Sequence, residues 1–195
     1  MSHDHPGAVR ARLVLLLVSF LLAAPPCAAA DEQLWTLLEG GGQVVLIRHG
    51  LTTPGVGDPP GFRLDDCATQ RNLDDEGRRE AQRVGEAFRA RRIPVERVLS
   101  SPWCRCVETA RLAFGGSEPW PALGNLFGRP ENRAEHVRQM QRRVSERPGP
   151  GNLVLVTHGS TIAALTGINP GTAEMVVVTP QGGERFAVAG RLRAR

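Results

Sequence analysis

Two histidines close apolar runs of the same design: His49 in Val44-Val45-Leu46-Ile47-Arg48-His49-Gly50, and His158 in Leu153-Val154-Leu155-Val156-Thr157-His158-Gly159. An imidazole with one nitrogen unprotonated is a nucleophile. An arginine beside it offers a planar fork of N–H donors that fits phosphoryl or carboxylate oxygens. A third segment, Val98-Leu99-Ser100-Ser101-Pro102-Trp103-Cys104-Arg105, supplies a second arginine at the start of an expected helix. The N-terminal N–H groups and dipole of that helix also favour anions. The combination allows one kind of chemistry above others: His49 attacks a phosphoryl group that Arg48, Arg105 and His158 hold. A protonated His158 would be a third cation, and Thr52 offers a hydroxyl. Gly50 and Gly159 let the backbone turn sharply and come close to a ligand. The competing roles are ordinary ones: a structural histidine at a strand end, and an Arg105–Glu108 ion pair at helical spacing.

That chemistry requires the three segments to end on one edge of a sheet. Gln43–Ile47, Arg97–Ser100 and Asn152–Thr157 are short, apolar and β-branched, as buried strands are. Helices are expected over Asp31–Gly40, from Asp74 to about Arg92, over Trp103–Phe114, Glu131–Arg147 and Thr161–Thr166. Asp74 is placed as an N-cap, with Asp75 and Glu76 in the first turn. Met175–Thr179 and Arg185–Val188 read as two last strands joined through Gln181-Gly182-Gly183. Strands alternating with helices predict an α/β fold, a three-layer sandwich with a mainly parallel central sheet and helices on both faces. In open sheets of this kind ligands bind at the carboxyl ends of strands. The segments Gly50–Asn72 and Ser117–Pro130, rich in Pro and Gly, are the loops expected to shape the pocket. Arg63, Arg71 and Arg129 lie in them as further possible contacts for anions.

Residues 1–30 read as a signal peptide rather than as part of the fold. Arg10 and Arg12 precede an apolar run from Leu13 to Ala24; Pro25-Pro26 breaks it, and Ala28-Ala29-Ala30 offers a cleavage site. The run is too short for a membrane span, which takes about 20 residues. A lipid anchor on Cys27 is the less favoured alternative, because two prolines precede it. Residues 31–195 then form a single domain in a periplasmic or secreted protein, with no stable membrane insertion after cleavage.

The net charge of the 195-residue chain is +4 and lysine is absent, so every basic side chain is an arginine. Charges of both signs are interspersed and aromatics make up only 5%, which weighs against nucleic acid as a partner. Of Cys67, Cys104 and Cys106, the expectation is that Cys67 bonds one of the other two and leaves one thiol. Three cysteines without a histidine at ligand spacing make a poor zinc site, and neither metal nor cofactor is expected.

The three motifs together resemble the histidine phosphatase superfamily, over roughly Gln43 to Arg193. Arg48-His49-Gly50-Leu51-Thr52 fits its first motif, Ser100-Ser101-Pro102-Trp103-Cys104-Arg105 its second, and Val156-Thr157-His158-Gly159 its third. Asn72-Leu73-Asp74-Asp75-Glu76-Gly77 is similar to the turn that opens its first long helix. The resemblance implies a phosphoglycerate mutase-like fold and a two-step, metal-free phosphatase reaction on a small phosphorylated substrate, through a phosphohistidine on His49. Export and size are most similar to periplasmic phosphatases of lipopolysaccharide core heptose phosphate.

The chain departs from the family pattern at the proton donor. Asn125, in Ala122-Leu123-Gly124-Asn125-Leu126, occupies the place where many members carry a glutamate, and an amide is no acid. Asp58, Glu131 and Glu135 are the possible substitutes. The departure leaves three readings beside an ordinary monoesterase: a phosphoramidate or phosphohistidine phosphatase, a catalytically weak phosphate-binding or regulatory protein, and, last, a mutase.

Overall fold

The computed structural model describes residues 1, 3 and 26–194, so the expected leader lies outside the described residues apart from its first and third positions and its last five. Those five open helix α1, Pro26–Glu39, which starts earlier than the expected Asp31. It stops at Gly41 and Gly42, both at positive φ (67° and 72°), a conformation that favours glycine.

The remaining elements follow in chain order: β1 Val44–Arg48, α2 Asp75–Ala90, β2 Val95–Ser100, α3 Cys104–Phe114, β3 Glu118–Pro119, α4 Pro130–Ser145, β4 Asn152–Thr157, α5 Gly159–Thr166, β5 Met175–Gly182 and β6 Arg185–Leu192. They build one six-stranded sheet in the order β3-β2-β4-β1-β5-β6. The first four strands of this order are mutually parallel, β5 runs antiparallel to β1, and β6 runs antiparallel to β5. The expected α/β class and mainly parallel sheet therefore hold. β3 was not anticipated: two residues within the 117–130 loop have no period to read. The last two strands are longer than expected.

Alternate residues of β1 point to opposite faces. Val45 and Ile47 join Trp35 of α1, Val84 and Phe88 of α2, and Ala110 of α3 in one core cluster. Val44 and Leu46 join Met140 and Val144 of α4 and Ile162 of α5 in the other. With both faces covered, β1 and β4 are buried almost throughout, which is why each reads as an uninterrupted apolar run. None of the helices among the described residues is long and apolar enough to cross a membrane.

Candidate phosphoryl site at the strand ends

The register of the two central strands brings the histidines together. Arg48 lies opposite Thr157, and the His49 N–H donates to the Thr157 carbonyl at 2.9 Å. His49 and His158 thus leave neighbouring parallel strands at the same level, with ring centroids 5.3 Å apart. On the other side of β4, the Ser101 N–H donates to the Val156 carbonyl at 2.8 Å, so β2 delivers its turn to the same edge. α3 begins three residues later and carries Arg105.

Both motif glycines have a steric reason, and neither is a positive φ. A Cβ on Gly50 would lie 2.3 Å from the Gly77 carbonyl oxygen in the first turn of α2. One on Gly159 would lie 2.9 Å from Asn169 Oδ1 and 3.4 Å from Arg48 Cδ. The Gly50 N–H donates to Thr109 Oγ1 at 3.1 Å, and that hydroxyl donates to the Arg105 carbonyl at 2.7 Å. The first motif is thereby tied to the helix that bears the second arginine.

His49 is 5% exposed, and its Nδ1 lies 2.8 Å from the Gly50 carbonyl oxygen. A carbonyl only accepts, so the ring proton sits on Nδ1 and Nε2 keeps its lone pair. Burial, then the Arg105 charge, brings the pKa down to about 3; the Gly50 contact opposes this, and the Arg48 and Arg71 charges add smaller downward effects. His158 is held well below its ordinary value by burial first, then by His49 and the same three arginines. Its Nε2 shares a 2.8 Å hydrogen bond with Ser101 Oγ, and the Trp103 ring lies 5.3 Å away. Burial therefore disfavours the protonated form in which His158 would be a third cation.

Arg105 is 1% exposed and does not pair with Glu108, which binds Arg78 instead. Its partner is Asp58, out of the loop between β1 and α2. Asp58 accepts from Arg105 at 2.6 and 3.2 Å, from Trp103 Nε1 at 3.0 Å and from the Arg71 N–H at 3.1 Å. A disulfide between Cys67 and Cys104 fastens this loop to the first residue of α3. Cys106 is the thiol left over, buried, with its Sγ 3.6 Å from His158 Nε2; burial pushes its pKa up to about 12, so it packs as a neutral group.

A cavity of about 450 Å³ at this edge is lined by Arg48, His49, Arg105, His158 and Gly159 of the expected set. Thr52 does not line it; its backbone bridges Leu73. Arg71, Asn169 and Phe127 do line it. Arg71 had been one of three loop arginines of equal standing. Of the other two, Arg63 pairs with Asp66 at the surface and Arg129 lies over the Phe62 and Trp103 rings. The sequence offers Asp58 only as a possible acid and Ser101 only as part of the second motif, so neither the pairing of Asp58 with Arg105 nor the bond of Ser101 to His158 was legible. Asn125 lines the cavity with its Oδ1 accepting from Ser160 Oγ at 2.8 Å and from the Phe127 N–H at 3.1 Å. None of the lining residues is acidic. Glu135 pairs with Arg138 at the surface, Glu131 is exposed, and Asp58 is committed to Arg105.

The Nε atoms of Arg48, Arg71 and Arg105 are buried without a hydrogen-bond partner. Buried donors left unpaired are costly, and three on the guanidinium groups lining one cavity suit a ligand rich in anionic oxygens.

Residues 44–125 match the model of the histidine phosphatase superfamily, branch 1. No curated protein sequence matches the chain. Among solved structures, the protein histidine phosphatase SixA complexed with tungstate superimposes with a TM-score of 0.58 at 17% identity, over 78% of this chain and 97% of that one. Phosphoserine phosphatase from Entamoeba histolytica in complex with 3-phosphoglyceric acid gives 0.56 at 14% identity, over 76% and 95%. The mycobacterial glucosyl-3-phosphoglycerate phosphatase gives 0.54 at 19%, over 78% and 99%. At these identities the likeness is one of fold.

Proposed function

We propose that the chain is a histidine phosphatase of branch 1, whose family model matches residues 44–125, and that it is an exported phosphatase whose nucleophile is His49. The observation that carries the reading is the state of His49: Nδ1 is fixed by the Gly50 carbonyl, so Nε2 presents its lone pair among Arg48, Arg105 and His158. Nε2 attacks phosphorus, the P–N bond forms, and the bond to the leaving oxygen breaks with its electron pair on that oxygen. Water then attacks phosphorus, the P–N bond breaks, and inorganic phosphate departs. Arg48 and Arg105 supply fixed positive charge where the equatorial oxygens gain negative charge. No metal enters these steps. His158, neutral at rest, gains a proton more readily once the phosphoryl dianion is bound.

Export rests on the leader-like N-terminus together with the Cys67–Cys104 bond, since disulfides persist in oxidising compartments. Periplasmic or secreted localisation follows. The substrate is a small phosphorylated molecule, with an envelope sugar phosphate as one option. The similar structures carry names that refer to protein histidine, phosphoserine and glucosyl-3-phosphoglycerate. A second reading has its own observation, the absence of an acid among the lining residues. It favours leaving groups that depart with little protonation, such as phosphoramidates, acyl phosphates and aryl esters.

Turnover of para-nitrophenyl phosphate with EDTA present tests both steps. The expected result is hydrolysis unaffected by EDTA and abolished in His49→Ala, with phosphate trapped on His49 after a quench that avoids acid. Equal rates in the two proteins leave only a phosphate-binding role.

A further inference from the structure

Beyond the nucleophile and the three residues that hold a phosphoryl group, the cavity has a one-sided character. Every charged side chain that lines it is an arginine, and the third of these, Arg71, has no part in the reaction proposed above. Arg71 is not a loose surface side chain. Its N–H donates to Asp58, its carbonyl accepts from Arg105 Nη1 at 3.2 Å, and its own Nη1 donates to the Gly55 carbonyl. The neighbouring Asn72 Nδ2 donates to the Cys67 carbonyl at 2.6 Å, and Cys67 is bonded to Cys104. The guanidinium is thus placed on a fastened loop before any ligand arrives, which spares the ordering entropy of binding. Among the described residues it makes no carboxylate ion pair within hydrogen-bonding distance, and its Nε is buried without a partner.

Asn125 adds to the asymmetry. With its Oδ1 committed to Ser160 and the Phe127 N–H, what it has left to offer the cavity is an amide donor. A volume of about 450 Å³ also exceeds what a phosphoryl group fills, so a leaving group shares the space. The charged and amide groups of the lining are donors and need a ligand that brings acceptors.

We propose that Arg71 forms a second anion subsite beside the phosphoryl position, and that the substrate carries a carboxylate or a further phosphoryl group near the scissile one. The proposal deepens the phosphatase reading and rests on its placement of the phosphoryl group. It makes Arg71 a specificity-determining residue, acting on what leaves rather than on phosphorus.

Inert phosphonates test it without requiring turnover. Calorimetry on the intact protein compares propylphosphonate with 3-phosphonopropionate, which differs by a terminal carboxylate, and with ethane-1,2-bisphosphonate, whose second anion is phosphoryl. The expected result is a preference of about tenfold or more for at least one of the two doubly anionic ligands over propylphosphonate, the size of one charge-assisted contact. Which one is preferred tells carboxylate from phosphoryl. In Arg71→Gln the ratio collapses to about one, whereas Arg71→Lys, which keeps the charge, retains part of it. Equal binding of all three ligands in the wild type, or a ratio that survives Arg71→Gln, overturns the proposal. Failure of every phosphonate to bind overturns it together with the phosphoryl site. A clear preference in a protein that fails to hydrolyse para-nitrophenyl phosphate upholds the subsite while removing the enzyme reading.

Discussion

Asp58 and Arg105 lie 47 residues apart in the chain and form a two-point ion pair, with side chains 4% and 1% exposed. Asp58 comes from an irregular loop and Arg105 from the first turn of α3, so the pair sets the direction in which the arginine meets a ligand. Burial opposes ionisation of Asp58, but the hydrogen bonds and charge of Arg105, with the N–H groups of Arg71 and Trp103, hold its carboxyl below the ordinary range. The pair's stabilisation is full above the unfolded carboxylate pKa of about 3.9 and is lost as pH falls through the lower folded value.

Asp58→Asn keeps the shape and removes the charge. Breaking one side of a buried ion pair costs about 3–5 kcal/mol. Displacing Arg105 lowers kcat/KM for para-nitrophenyl phosphate by about 10- to 100-fold. Urea unfolding and steady-state kinetics on the same preparation check both numbers. A loss of stability below 0.5 kcal/mol, on the order of a surface substitution, with unchanged kinetics would show that Arg105 is positioned by something else.

The two buried histidines predict acid sensitivity at a pH where carboxylates remain ionised. Their folded pKa values are depressed, His49 to about 3, so the unfolded chain takes up protons first. Stability is therefore full above an unfolded histidine pKa of about 6.5 and falls as pH drops below it, until the folded groups protonate. At pH 5 His49 alone costs about 2 kcal/mol by this linkage. The ring carbon signals of both histidines, followed by NMR, should stay in the neutral state from pH 8 down to pH 5 while the unfolding midpoint falls. A His49 titration centred near its ordinary value of about 6.5 would contradict the burial argument.

The central strands and the motif order were legible because physics makes them so. Val44–Ile47 and Asn152–Thr157 are covered on both faces, and such strands admit only apolar residues over their length. Asp74 was legible as a cap, and its side chain does accept from the Gly77 N–H at 2.8 Å. The choice between Cys104 and Cys106 was not. Residues two apart on a helix face different ways, and only the packing of α3 shows that Cys104 meets the loop while Cys106 enters the core. Asp58 and Arg71 were illegible for a related reason. Their positions follow from contacts with Arg105 across the fold, and a loop has no period that announces which of its charges turns inward.

The disulfide has a direct consequence for the loop that carries both residues. Closing a 37-residue separation stabilises by about 4 kcal/mol in the chain-entropy model. Reduction should lower the unfolding free energy by roughly that amount and lower activity, because Asp58 and Arg71 lose their fastening. In a chain beginning at Asp31, thiol counting in denaturant should find one thiol before reduction and three after. Three at the outset, or full activity after complete reduction, would separate the bond from the site.

Asn125 offers the sharpest test of which leaving groups the site accepts. Its amide stands in the cavity where no acid is present, so the leaving oxygen must depart as an anion or take a proton from water. Aryl esters tolerate this and alkyl esters do not. Asn125→Glu introduces a carboxylic acid that reaches further into the same space, at a cost of about 1 kcal/mol for the hydrogen bonds its Oδ1 accepts from Ser160 and the Phe127 N–H. General acids contribute about 10²–10⁴-fold when well placed. An engineered one should recover part of that, raising kcat/KM for an alkyl phosphate relative to para-nitrophenyl phosphate by about tenfold. The gain should fade as pH rises through the ionisation of the new acid, since only its protonated form can donate. A ratio of rates that is the same in both proteins across pH 4 to 8, a range that starts near the ordinary glutamate pKa of about 4.3, would mean that leaving-group protonation does not limit this site.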